Sequence, residues 1–337
     1  MADNVIILAG GQGKRMGSQK PKVLCRVLGE PMLEWVISAC EDAGIRDICV
    51  IKGYRGEYID QYLASRKGSA EIITVEQKER LGTGHAVMQA ADYLRARSDG
   101  NTLILCGDAP FIDRQTILSA LELHKKRSCG VTVVTSKIAD PSGYGRVIRT
   151  ENGISGIVEH KDCTPEQLEI KEINSGCYWF STKALLDVLG EITPNNAQGE
   201  YYLTDCVELI IGKGGTADAY TSENPNVSLG ANDRRGLLEL NDIARRGIID
   251  KWLGEGVEFI CTDGVVIGRR AVIGRGSTVC QNVTVSGSTV IGSDCCIGSG
   301  SVIDSAVIGD GSIILASHLY GTQIAPNSSV GPFEFRK

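Results

Sequence analysis

The stretch Val5-Ile6-Ile7-Leu8-Ala9-Gly10-Gly11-Gln12-Gly13-Lys14-Arg15-Met16-Gly17 decides the fold class. Residues 5–9 form a short, unbroken apolar run, the pattern of a strand buried on both faces. The glycines behind it let backbone N–H groups approach phosphates, and Lys14, Arg15 and Lys22 supply positive charge. Next, Pro31 opens a helix whose Leu33, Val36, Ile37 and Cys40 share one face, and Gly44 ends it. Further strands are expected at 47–52, 71–75, 102–107 and 130–135, with helices between them, including 116–126. This alternation predicts an α/β domain with a largely parallel sheet.

The loop fits neither common nucleotide motif. Gly11-x-Gly13 is not followed by a glycine at position 16, so the dinucleotide fingerprint fails, and no Walker A spacing occurs. A formal charge of -6 gives no electrostatic footprint for nucleic acid. No apolar stretch reaches the length of a membrane span, and the N-terminus lacks the pattern of a signal peptide. The twelve cysteines are scattered without a C-x-x-C pair and several sit inside apolar runs, so reduced, buried thiols in a cytoplasmic protein are expected.

A second architecture begins near Asn232. Leu237, Leu240, Ala244, Ile248 and Trp252 have helical spacing, with Asn232 and Asp233 as caps and Gly254 past the end. Beyond it, aliphatic residues recur every six positions at Ile267, Ile273, Val279, Val285, Ile291, Ile297 and Ile303, often followed by glycine. A hexapeptide period is the signature of a β-helix, here of about four coils. The phase slips at Ile308 and reads as irregular until Val330. The expected organisation is a domain over 1–230, a linker helix over 231–254 and a short β-helix over 255–337.

Thr102 to Gly107 is an apolar run ending in Gly107-Asp108-Ala109-Pro110, and a carboxylate at the tip of a parallel strand lies where open α/β sheets bind ligands. Asp108 could hold a hard Mg²⁺ ion there; an ordinary turn residue is the equal alternative. Taken together, Leu8-Ala9-Gly10-Gly11-x-Gly13-x-Arg15-Met16, Pro21-Lys22-Val23-Leu24, Leu81-Gly82-Thr83-Gly84-His85-Ala86 and Gly107-Asp108-x-Pro110 resemble the sugar-1-phosphate nucleotidyltransferases. Gly143-Tyr144-Gly145-Arg146, the run from Ile157 to Asp162, the run from Glu172 to Gly176 and the run from Asn195 to Asp205 look most like the bacterial bifunctional N-acetylglucosamine-1-phosphate uridyltransferase/glucosamine-1-phosphate acetyltransferase family, in a truncated form.

That resemblance implies a Rossmann-like mixed-sheet nucleotidyltransferase domain, a helical arm and a short left-handed β-helix. It implies an enzyme joining UTP and N-acetylglucosamine 1-phosphate with Mg²⁺, and a homotrimer for the longer relatives. Carried over by position, Leu8, Ala9, Gly10, Gly11 and Gly13 with Arg15 would hold the triphosphate, and Lys22 would stabilise charge at the α-phosphate. Gln77, Gly82 and Thr83 resemble uracil-reading positions. Asp108 and Asn232 resemble the metal pair, and Gly145, Glu159, Asn174 and Thr204 the positions that contact the amino sugar.

Gly10 stands where the family more often has Ala, and Cys106 where a Tyr often precedes the Gly-Asp pair; both leave nucleotide choice open. The same reaction with glucose 1-phosphate or another nucleoside triphosphate is one alternative, and a non-catalytic nucleotide-sugar-binding regulator or scaffold is another. Because the sequence stops at Lys337, about where the family's acetyl-transfer residues would begin, acetyltransferase activity is expected to be absent. No spacing supports a Cys-His nucleophile; His85 is expected near a helix start and His160 in a substrate loop.

Overall fold

A computed structural model describes residues 3–151 and 153–337. The chain divides into two compact units, one running up to Cys25 and over Pro31–Gly236, the other combining Arg26–Glu30 with Leu237–Lys337.

The first unit is built on a nine-stranded sheet. Its strands are β1 (Asp3–Ala9), β2 (Asp47–Lys52), β3 (Glu71–Glu76), β4 (Asn101–Cys106), β5 (Val131–Lys137), β6 (Arg146–Thr150), β7 (Gly153–Val158), β8 (Glu172–Ser181) and β9 (Ala217–Thr221). The order is β9-β5-β8-β4-β1-β2-β3, with β6 bridging β8 and β7. Neighbours among β4, β1, β2 and β3 pair in parallel, whereas β8 runs antiparallel between β4 and β5. The sheet is therefore mixed and Rossmann-like.

Alternation within β1 explains why it sits at the centre. Val5, Ile6 and Ile7 are fully buried, and successive side chains enter opposite cores. Val5 and Ile7 join Leu33, Val36 and Ile37 of the helix Met32–Asp42, whereas Ile6 joins Tyr93, Ile104 and Phe180. Burying each such aliphatic chain contributes about 1.5–3 kcal/mol. β8 splits in the same way, with Trp179 in one core donating its indole N–H to Ile117 O at 3.0 Å and Tyr178 and Phe180 in the other. The C-terminal tips of β1, β3 and β4 lead into the loops that carry the candidate site, as expected for an open α/β sheet.

The second unit is a left-handed β-helix of hexapeptide repeats, built from three stacks of short parallel strands. The aliphatic series from Ile267 to Ile303 points inward and is buried throughout. The slip at Ile308 is not the irregularity the spacing suggested. Ile291 pairs Ile308, Ile303 pairs Leu319, Ile308 pairs Ile324 and Ile314 pairs Val330, all in register and all buried. Each missing residue is absorbed where the coil turns, for example at Ser305, which adopts a left-handed backbone conformation.

Two positions before each aliphatic residue stands a second inward side chain, mostly small, such as Ala271, Ser277, Thr289 and Ser312. Ser277 and Ser312 donate to the carbonyls of Gly292 and Ala325, so the small inner layer also satisfies the turns. The long helix runs over Arg234–Gly254, and its Ile249 and Trp252 pack into the β-helix core. Asn241 on this helix accepts the Leu28 N–H at 2.9 Å, while Arg269 and Arg270 reach Glu30. No helix among the described residues is long and apolar enough to cross a membrane. All twelve cysteines are free thiols.

Candidate active site

Asp108 follows β4. Gly107 N–H donates to Leu8 O at 2.9 Å, holding the tip beside β1, and Ala109 N–H turns back to Cys106 O at 3.2 Å. A side chain at 107 would stand 3.1 Å from Leu8 O, a tight contact that glycine avoids. Lys22 comes from the turn Lys22–Leu24, led by Pro21. Its stem lies across Gly13, which has φ 59° and where a Cβ would stand 2.8 Å from Lys22 Cβ. Asn232 lies just before the long helix. Asp233 takes the capping role, accepting from Arg235 N at 3.0 Å and Gly236 N at 2.9 Å, and the Asn232 amide faces Lys22 instead.

These three side chains meet at one point. The Lys22 ammonium pairs with the Asp108 carboxylate and donates to Asn232 Oδ1 at 2.7 Å. Two hard oxygens thus converge on a single cation, a donor set that fits a small divalent ion completed by phosphate oxygens and water. Among the described residues no group of three or more His, Cys, Asp or Glu could hold an ion without such outside ligands.

Around this point opens a pocket of about 470 Å³, lined also by Gly145, Glu159, Asn174, Gly176 and Ser228. Glu159 accepts from the Thr204 hydroxyl at 3.4 Å. Burial pushes its carboxyl above the ordinary value, and the nearby Asp162 and Asp205 charges add to the rise. Asn174 sits at a β-bulge between β8 and β5, which turns it towards the pocket. Its Nδ2 donates to Tyr178 Oη at 2.5 Å and its Oδ1 accepts Gly176 N–H at 3.0 Å. Cys106 shares this wall, with Sγ 3.6 Å from Gly176 O. Burial pushes its thiol up to about 12, so it stays protonated and is no nucleophile.

A second pocket, of about 210 Å³, is lined by Leu8, Gly10, Gly11, Gln77, Gly82 and Thr83, with Arg80 and Glu200 at its side. Its wall is stitched to a distant segment. Gly84 N–H donates to Tyr201 O and Tyr201 N–H to Leu81 O, both at 2.8 Å, while Thr83 Oγ1 accepts Leu203 N–H at 3.1 Å. Gly82 has φ 114°, and a Cβ there would stand 2.5 Å from Tyr201 O.

Most of the expected residues therefore fall into two groups around two pockets, while Gly13 lines neither and lies under the Lys22 stem. Ala9 is different, being buried in the sheet core. Arg15 is exposed on the turn Lys14–Met16, where its charge helps the Gly236 and Arg235 N–H groups hold Asp233 below the ordinary carboxylate range. Thr204 reaches the larger pocket through Glu159. Sequence reasoning missed Ser142, Ser228 and Gly230 in that pocket, and Arg80 and Glu200 in the other. Glu200 lies within the run from Asn195 to Asp205 but was given no role there, and no motif marks the others, which arrive on loops from three further parts of the chain.

The nucleotidyl transferase family model matches residues 4–226. The bifunctional protein GlmU of Acetivibrio thermocellus is 39% identical over 263 residues, covering 78% of this chain and 56% of that protein. GlmU of Limosilactobacillus reuteri is 43% identical over 258 residues, covering 76% of this chain and 55% of that protein. The chain thus spans little more than half the length of these relatives. Among solved structures, a putative glucose-1-phosphate thymidylyltransferase from Bacillus anthracis in complex with a sucrose aligns at TM-score 0.60 and 22% identity, over 72% of this chain and 96% of that one. A UDP-glucose pyrophosphorylase complexed with UDP-glucose aligns at TM-score 0.60 and 16% identity, over 73% of this chain and 100% of that one, so the shared fold is what these two likenesses show. The chain is a member of the nucleotidyl transferase family.

Proposed function

We propose that this enzyme transfers UMP from UTP to N-acetylglucosamine 1-phosphate, releasing pyrophosphate and UDP-N-acetylglucosamine. The observation that carries this reading is the meeting of Lys22, Asp108 and Asn232 at one point on the rim of a pocket that also holds Glu159 and Asn174. The likeness to GlmU proteins at 39–43% identity supports the choice of substrates.

An oxygen of the sugar phosphate attacks the α-phosphorus in line; the new P–O bond forms as the bond to pyrophosphate breaks. That oxygen is already ionised at neutral pH, so no general base is needed. Both reactants are anions, and the work of the site is to align them and offset their repulsion. Asp108 and Asn232 would hold Mg²⁺, which when bound supplies positive charge to the phosphates. Lys22 bears on the α-phosphate, and Arg15 faces the leaving pyrophosphate. Gly145, Glu159, Asn174 and Thr204 hold the amino sugar, while Gln77, Gly82 and Thr83 hold the uracil beside Leu8, Gly10 and Gly11.

A panel of four nucleoside triphosphates against N-acetylglucosamine, glucose and mannose 1-phosphates, read by pyrophosphate release, tests the proposal. The pair UTP and N-acetylglucosamine 1-phosphate should give the highest kcat/KM. A clear preference for glucose 1-phosphate would move the enzyme to another substrate, and silence with every pair would favour a binding protein. Acetyl transfer to glucosamine 1-phosphate forms no part of the proposal and is assayed separately with acetyl-CoA.

A further inference from the structure

Gln77 is 5% exposed, and its amide has one orientation that satisfies its neighbours. Its nitrogen lies 3.0 Å from Gly82 O and 3.2 Å from His85 Nδ1. A backbone carbonyl can only accept, so the nitrogen end of the amide must face Gly82. One of its two protons goes to Gly82 O. The other points at His85 Nδ1, which must then be the unprotonated ring nitrogen, with the ring proton on Nε2.

On the other side of the ring, Gln89 is exposed and also lies 3.2 Å from His85, at Nε2. The Gln89 Nε2 donates to His85 O at 3.1 Å, so its nitrogen end stays towards His85; being at the surface it can leave the ring nitrogen to water, an alternative the buried Gln77 contact lacks. The buried end of the chain of contacts therefore sets the exposed end.

With both N–H groups of Gln77 engaged, only Oε1 is left to meet a ligand. It lines the smaller pocket beside Gly10, where an added Cβ would stand 2.8 Å from it. The absence of a side chain at Gly10 gives Oε1 its place there.

We infer that His85 is a specificity-determining positioning residue: by accepting the second N–H of Gln77 it joins Gly82 O in locking the amide so that a hydrogen-bond acceptor faces the base. An acceptor at that place matches the imide N–H of a uracil-type ring and opposes the bare ring nitrogen of cytosine. Rotating the amide by half a turn would offer N–H groups instead and invert the preference. The inference rests on the proposed uridylyl transfer and adds the device that selects the base.

The test compares UTP with CTP by pyrophosphate release in three proteins. His85→Phe keeps a ring beside Tyr201, whose centroid lies 6.1 Å from that of His85, but removes the acceptor. His85→Asn supplies an amide oxygen near the place of Nδ1. The Phe variant should raise KM for UTP about tenfold with kcat little changed, and should raise the CTP-to-UTP ratio of kcat/KM at least about tenfold. The Asn variant should restore most of the discrimination. Thermal melting of each variant separates lost folding from lost selection.

If the Phe variant folds and discriminates as the parent does, or if Asn and Phe behave alike, the inference is overturned. A parent enzyme without activity on UTP would instead sink the proposed function, so the two failures are distinguishable.

Discussion

Lys22 and Asn232 stand 210 residues apart in the chain, yet the ammonium of one lies 2.7 Å from the amide oxygen of the other while it pairs with Asp108. The contact links the glycine-rich loop after β1 to the segment entering the long helix. The side chains of this pair are 11% and 29% exposed, so the cost of taking both charges out of water offsets much of their attraction and the pair adds little net stability. In the proposed reaction it places positive charge where the two phosphates meet.

Lys22→Ala should therefore lower turnover about 10²- to 10³-fold while leaving the melting temperature within a few degrees of the parent. Stopped-flow pyrophosphate release and a thermal melt check both halves. A large fall in melting temperature with kcat preserved would assign Lys22 a structural role instead.

Gly82 and Gly11 line the same pocket but differ in what a methyl group would meet. At Gly82 the backbone has φ 114° and a Cβ would stand 2.5 Å from Tyr201 O; at Gly11 nothing lies within 4 Å. Gly82→Ala should cost about 1–3 kcal/mol in a denaturant melt and raise KM for UTP about tenfold. Gly11→Ala should fold as the parent does, and its KM reports how closely the nucleotide approaches that backbone.

Asp205 opens the helix Asp205–Gly212, and its carboxyl is pushed from 3.8 up to about 6, chiefly by burial and then by the Glu208 and Asp162 charges. The unfolded chain thus releases this proton at lower pH than the folded one. The stability it contributes as a neutral acid is complete below about pH 3.8 and is lost as pH rises through about 6. Asp205→Asn should then exceed the parent by about 1–2 kcal/mol near neutral pH, after allowance for solvent screening. The gain should shrink towards pH 4. Denaturant melts at several pH values measure it, and a gain independent of pH would contradict the assignment.

One stack of the β-helix carries Val272, Val290 and Val307 in register, and these side chains are 49%, 41% and 43% exposed. An apolar stripe on a flat sheet favours association between copies of the chain. Sedimentation should show self-association whose dissociation constant rises at least about tenfold in Val290→Lys. A parent chain that stays monomeric at high concentration would remove the stripe from the account.

The strand and loop at 5–17 and the repeat from Ile267 to Ile303 were legible because each has one dominant pattern: an apolar run broken by glycines, and a strict period of six. Strand β8 was not. Glu172-Ile173-Asn174-Ser175-Gly176-Cys177 mixes polar residues and a bulge into a strand buried on both faces, so neither alternation nor a continuous apolar run appears. The coils after Ile303 looked irregular for a related reason. Spacing along the chain counts corner residues, whereas the stacking of Ile303 on Leu319 depends only on where the inward side chains fall. At the site, motifs marked Lys22 and Asp108 and the family resemblance marked Gln77, but the His85 contact to Gln77 depends on which amide end faces Gly82, and no sequence pattern records that.

Comparing the parent with Asp108→Ala for pyrophosphate release from UTP, with and without N-acetylglucosamine 1-phosphate, probes the phosphate-meeting point most directly. The account predicts release by the parent only when both substrates are present, and a loss of at least about 10²-fold in the variant with an unchanged melt. Release that persists in the folded variant at close to the parental rate would contradict it.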